Sequence, residues 1–202
     1  MKRIVKISHC VLTVCAFFFT SCATTTISDV WKDKTYTGKA EKIVVLMVAR
    51  SPDLRNMFEG RFFAELRARG NEVLKSNTFI AFDELPDKEL VKKKIKSTDA
   101  DTLLISRLVS SKTIESYVSG QVHGVPNSYW GWGTYYEVLF IDYGYTGNIE
   151  VAYVETNLYD IKTEKLIWSG HSKTERSEGE QQLINTFIKK ITKKLSSDGI
   201  IQ

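Results

Sequence analysis

The residues best suited to covalent or metal chemistry, three cysteines and three histidines, are unevenly spread over the 202 residues. Cys10, Cys15 and Cys22 all precede residue 23, and the 180 residues after Cys22 hold no thiol. No disulfide can form within that stretch, and no cysteine there can attack a substrate or bind a metal. Nucleophilic hydrolysis needs a serine or cysteine within reach of a base. The only histidines after Cys22 are His123 and His171, and there is no G-x-S-x-G elbow. His171, beside Ser169 and Ser172 in strand patterning, reads as a solvated or hydrogen-bonded strand histidine. H-E-x-x-H and paired-cysteine spacings are absent. Asp99 and Asp101 stand two apart just before a strand without a third ligand nearby, so they read as loop or helix-end residues. Gly131 and Gly133 open no helix and read as turn glycines, and there is no P-loop. A carboxylate pair for glycoside cleavage is defined by separation in space, which a sequence does not give. No catalytic residue, metal ligand or cofactor is assigned on these grounds.

What remains is the thiol of Cys22. Lys2, Arg3 and Lys6 form a basic head, an apolar stretch runs from about Cys10 to Phe19, and the small pair Thr20 and Ser21 precedes Cys22. This is the three-part layout of a secretory signal. The uncharged stretch from Cys10 to Ser21 is 12 residues long, whereas a helix needs about 20 to cross the hydrocarbon core. The run Phe19-Thr20-Ser21-Cys22 resembles the lipobox of bacterial lipoproteins, with Phe19 where leucine is more usual. That resemblance implies cleavage between Ser21 and Cys22, acylation of Cys22, and a membrane as partner through that lipid. One acyl chain binds a membrane marginally, and several hold stably. Ala23 and Thr24 lack the aspartate that retains lipoproteins of enteric bacteria in the inner membrane, so the resemblance implies the outer membrane, facing the periplasm.

Removing the leader changes the charge argument. Three of the 28 basic residues lie in it, leaving 25 against 24 acidic, a net of +1. The basic pI of 8.8 therefore gives no case for nucleic acid as a partner. Lys92, Lys93, Lys94 and Lys96, like Lys189, Lys190, Lys193 and Lys194, read as solvated helix faces.

The elements behind the leader predict an α/β (α+β) fold with a single mixed sheet and packed helices, in the order β-α-β-α-β-β-β-α. Residues 1–21 are the signal, 22–40 a polar, threonine-rich lipidated tether, and 41–202 one domain. Lys42 to Ala49 is an apolar run expected of a strand covered on both faces. Ser51 caps a helix with Pro52 at its first position; Leu54, Phe58, Phe62 and Leu66 face inward, and Gly70 stops it. The pairs Arg55 with Glu59 and Arg61 with Glu65 are expected on its exposed side. A short strand near Glu72 to Ser76, a lysine-rich helix from about Asp87 to Lys96 and a strand from Thr102 to Val109 follow. Strands from Asn148 to Ile161 and from Lys165 to about Thr174 are joined as a hairpin through residues 162–165. A last helix starts at a Ser177-x-x-Glu180 capping box and buries Leu183, Ile184, Phe187, Ile188, Ile191 and Leu195.

This element order is similar to that of the TolB amino-terminal domain and of lipoproteins that activate penicillin-binding proteins. The chain more closely resembles a family of small, functionally uncharacterised bacterial lipoproteins. The resemblance rests on Thr24-Thr25-Thr26 and Trp31, the Lys42-Ile-Val-Val strand with Arg55 beyond it, Asp99 to Leu104, Glu155 to Asp160 and Lys165 to Gly170. Such relatives would usually carry glycine where Glu164 stands. The resemblance brings no activity.

One stretch stands apart. Gly120 to Tyr136, continuing through Phe140, Tyr143 and Tyr145, is a long insertion rich in glycine and aromatics. Tyr129, Trp130, Trp132, Tyr135 and Tyr136 are the candidate contacts for an envelope protein or glycan; alternatively these rings fold back as a lid over the core. On the contact reading, Trp132→Ala leaves stability nearly unchanged. The function expected is a membrane-anchored envelope lipoprotein acting as a non-catalytic binding or adaptor module, with an envelope enzyme acting on glycan or peptidoglycan as the alternative.

Overall fold

Seven successive residues, Lys42-Ile-Val-Val-Leu-Met-Val48, form a strand (β2) buried from Ile43 onward, and the rest of the fold is arranged about it. In the computed structural model, residues 24–109, 131–132, 151–175 and 180–202 are described. Ahead of β2 lies β1 (Thr24–Lys32). After it come α1 (Pro52–Ala68), β3 (Glu72–Lys75), a single 3-10 turn (Ser76–Thr78), α2 (Lys88–Lys96), β4 (Thr102–Val109), β5 (Val151–Asp160), β6 (Leu166–Glu175) and α3 (Glu180–Ser197). The six strands make one mixed sheet in the order β1-β6-β5-β4-β2-β3. β2 runs parallel to β3 and β4, and the pairs β4–β5, β5–β6 and β6–β1 are antiparallel. The fold is thus the expected α/β class, with one strand more among the described residues than the sequence pattern indicated.

Period-two alternation divides the strands between two cores. Ile43, Val45, Met47, Leu104, Val154 and Leu158 face α1 and α3. There Phe187 of α3 packs against Phe58 and Phe62 of α1 with ring centroids 5.9 Å apart in both pairs. Such tilted and edge-on pairs add about 0.5–1.5 kcal/mol to area burial. Val44, Leu46, Leu103, Ile105, Tyr159 and Leu166 face the other side, where α2 contributes Val91 and Ile95.

The local signals act as their chemistry requires. The Ser51 hydroxyl accepts from the Leu54 amide at the start of α1, behind Pro52, and Gly70 takes φ +93° just past its end. The Asp87 carboxylate accepts from Leu90 N and caps α2. Asp101 accepts from the amides of Glu41 and Lys42, both at 2.9 Å, tying together the entries to β2 and β4, while Asp99 pairs with Lys42. In the β5–β6 turn, Glu164 adopts φ +61°, the left-handed conformation that glycine enters without steric cost. Glu164 is held there by ion pairs to Lys92 at 2.7 Å and Lys96 at 2.6 Å. Ser177 and residues 148–150 lie outside the described residues.

Two expectations are corrected. The stretch read as a tether contains β1: Thr24 to Ser28 pair with Glu175 to His171, a bulge follows at Asp29 and Val30, and Trp31 and Lys32 pair with Ser169 and Trp168. The chain remains fixed to Ala40, whose amide donates to the Ile200 carbonyl. A polar composition suits an edge strand, which needs few apolar residues and gains from a bulge that turns its open side away. Arg55 and Glu59 are buried, not exposed, at 1% and 0%. Four-residue spacing shows that two side chains meet but not which way they face, and these point under the 3-10 turn. Arg55 donates from Nε to Glu59 Oε1 (2.9 Å) and from its terminal nitrogens to the Ser76 hydroxyl (2.8 Å) and the Ile80 carbonyl (3.0 Å). Glu59 also accepts from Ser76 Oγ (2.7 Å), Met47 N (3.2 Å) and Asn77 N (2.7 Å). Arg61 and Glu65 pair at 2.7 Å, half-buried.

Candidate functional site

On the α2 side of the sheet the apolar pattern gives way to polar residues toward the carboxyl end of β4. β4 places Arg107 next in line after Leu103 and Ile105. β5 places Glu155 and Asn157 on the same face, and β6 places Ser169 and His171. The register stacks them in two cross-strand rows: Val48, Arg107, Glu155, His171 and Ser28 in one, and Leu46, Ile105, Asn157, Ser169 and Trp31 in the next. Arg107, Glu155, Asn157, Ser169 and His171 are all buried. Side chains directly opposite in such rows approach within about 4.5–5.5 Å at Cβ.

Glu155 is the hub. Its Oε2 accepts from Arg107 Nε at 2.8 Å and its Oε1 from Asn157 Nδ2 at 3.0 Å. The residue types Ser, His and Glu thus lie side by side on β5 and β6, on one buried face of the sheet. Each oxygen of Glu155 thus accepts from a donor of the fold. Its arrangement therefore neutralises a buried guanidinium and fixes the alignment of β4 on β5. Buried ion pairs of this kind add little net stability, because desolvation offsets the attraction, yet removing one partner is costly. Among the described residues no group of three His, Cys, Asp or Glu side chains could hold a metal ion.

Of the aromatic contact residues, Tyr129, Trp130, Tyr135 and Tyr136 lie outside the described residues, as do Ser21 and Cys22. Trp132 is described, and it corrects the contact reading for that residue: it is 0% exposed and belongs to the α2-side core with Leu103, Ile105, Tyr159 and Leu166. Its ring lies 5.9 Å from Lys92 Nζ. Gly131 before it takes φ +98°, and a β-carbon there would stand 3.4 Å from the Glu164 carbonyl. Glycine thus lets the chain pass closely over the hairpin turn and deliver the indole to the core. Its burial excludes Trp132 from any contact surface in the folded chain.

Sequence reasoning missed the Arg107–Glu155 pair. The available signal was the alternation Tyr153, Glu155, Asn157 opposite Ala152, Val154, Leu158, which ordinarily marks a solvent face. His171 was seen, and it is hydrogen-bond-capable strand chemistry in a buried row.

Among the described residues, fold and site define an α/β class with one mixed sheet and internally paired buried charges. No protein-family model matches the chain, and no curated protein matches it in sequence. Among solved structures it is similar to the PelC dodecamer from Paraburkholderia phytofirmans, with a TM-score of 0.47 and 16% identity over 89% of this chain and 100% of that one. It is also similar to lipoprotein GNA1162 from Neisseria meningitidis, with a TM-score of 0.40 and 13% identity over 78% and 96%. Neither is the TolB domain to which the element order was likened. At these values the likeness concerns the course of the chain, and no residue role is taken from it.

Proposed function

We propose that this chain is a lipid-anchored module of the bacterial cell envelope that binds or bridges envelope components without catalysing a reaction. The observation that carries the anchor is Cys22: it closes a basic, then apolar, then small-residue leader, and no other cysteine follows it. Among the described residues no helix is long and apolar enough to cross a membrane; the anchor on this reading is the acylated thiol. The non-catalytic part is supported by the buried charges, since Glu59 accepts four hydrogen bonds and Glu155 two, all from donors of the fold itself. The outer membrane, facing the periplasm, is the proposed location, with an envelope protein or glycan as partner.

Incubating the purified chain, from residue 23 onward, with peptidoglycan separates this reading from an envelope enzyme. Sedimentation with the polymer left intact supports binding. Release of soluble fragments overturns the non-catalytic reading and directs attention to Glu155 and His171.

A further inference from the structure

The end of β1 bears on how the domain meets the membrane. Thr24 is already in the sheet, paired with Glu175, which in turn pairs with Val151 of β5. Cys22 lies two residues earlier, and two residues span at most about 7 Å. A flexible stretch over the 18 residues 23–40 that follow Cys22 would instead have given a coil reach of roughly 24 Å. A lipid on Cys22 thus has no slack through which to hold the domain away.

We propose that the lipidated chain sits directly on the bilayer, with the end of the sheet formed by Thr24, Val151 and Glu175 against the lipid headgroups and the β5–β6 turn pointing away. This rests on Cys22 being acylated. The sheet is long enough to make the two ends distinct, since the ten residues of β6 extend roughly 30 Å.

The sequence makes the test clean, because acylation consumes Cys22 and no other cysteine follows. A single new thiol is placed in the full-length chain at the near end, as Glu175→Cys or separately Thr26→Cys, both exposed, or at the far end as Lys162→Cys, also exposed. Each mature protein is labelled with a fluorophore and reconstituted into phosphatidylethanolamine and phosphatidylglycerol vesicles carrying a nitroxide headgroup lipid. Labels at 175 and 26 are expected to lose most of their emission and the label at 162 to keep it. Inserting about 20 Gly/Ser residues between Ala23 and Thr24, a reach of roughly 25 Å, is expected to restore the emission at 175. Equal quenching at both ends, or no response to the insertion, overturns the direct seating. Unmodified full-length protein that takes the thiol-reactive label at Cys22, or fails to join the vesicles, overturns the anchor itself.

Discussion

Glu59→Ala should be among the most damaging single substitutions in the domain. The side chain is fully buried and accepts four hydrogen bonds, from Arg55 Nε, Ser76 Oγ and the amides of Met47 and Asn77. Its removal leaves the Arg55 guanidinium, itself 1% exposed, as an uncompensated buried charge, which costs about 3–5 kcal/mol. Each abandoned backbone donor adds about 1–3 kcal/mol where no water replaces its partner. The terms overlap and do not sum, so a loss of about 5 kcal/mol is expected, against total stabilities of about 5–15 kcal/mol. Urea denaturation followed by circular dichroism, on the chain from residue 23 onward, measures it directly and needs no redox control. The double variant Arg55→Met with Glu59→Leu removes both charges together. It should recover much of the loss, since apolar replacement of a buried pair is often neutral or better. A Glu59→Ala loss within about 0.5 kcal/mol, the range of ordinary surface changes, would refute the reasoning by showing that water reaches the pair.

Trp132→Ala should lower stability by about 3–5 kcal/mol, as for other large-to-small aromatic core changes, read as a shift in urea midpoint at constant m-value. Gly170→Ala should also destabilise, by about 1–3 kcal/mol or more, because its β-carbon would collide with the Trp168 ring; the increment should be smaller when the change is made in a Trp168→Leu background. For Glu164, burial opposes ionisation, but hydrogen bonds from Lys92 and Lys96 outweigh it and hold the carboxyl below its usual 4.5. Its contribution is therefore complete above that value and is lost as pH falls through the folded one. Glu164→Gln should be less stable than the parent near neutrality, with the gap closing on acidification; a gap that is flat with pH speaks against the pairing.

The parts of the fold legible in the sequence are those where one periodicity dominates. The apolar run of β2, the every-fourth-residue stripe of α1 and the stripe of α3 each point to a single structure, and Ser51-Pro52 sets a helix start. β1 was hidden because an edge strand can be polar: of its nine residues only Thr25 is fully buried, and Thr24-Thr25-Thr26 read equally well as linker. Arg55 and Glu59 were misplaced because helical spacing fixes a pair's separation and not the face it shares. The Arg107–Glu155 row was hidden for the corresponding reason in strands, where alternating polar residues signal water unless another charged strand is brought alongside. That juxtaposition belongs to strand order, and β4 lies between β5 and the non-sequential β2.

The central claim is that Cys22 carries the membrane anchor, and its most direct test is metabolic labelling with a palmitate analogue, followed by mass analysis of the amino-terminal peptide. The account predicts a labelled mature protein beginning at acylated Cys22, together with a Cys22→Ala variant that is unlabelled and retains residues 1–21. A wild-type protein that stays unlabelled, with its leader intact or cut elsewhere, would contradict it.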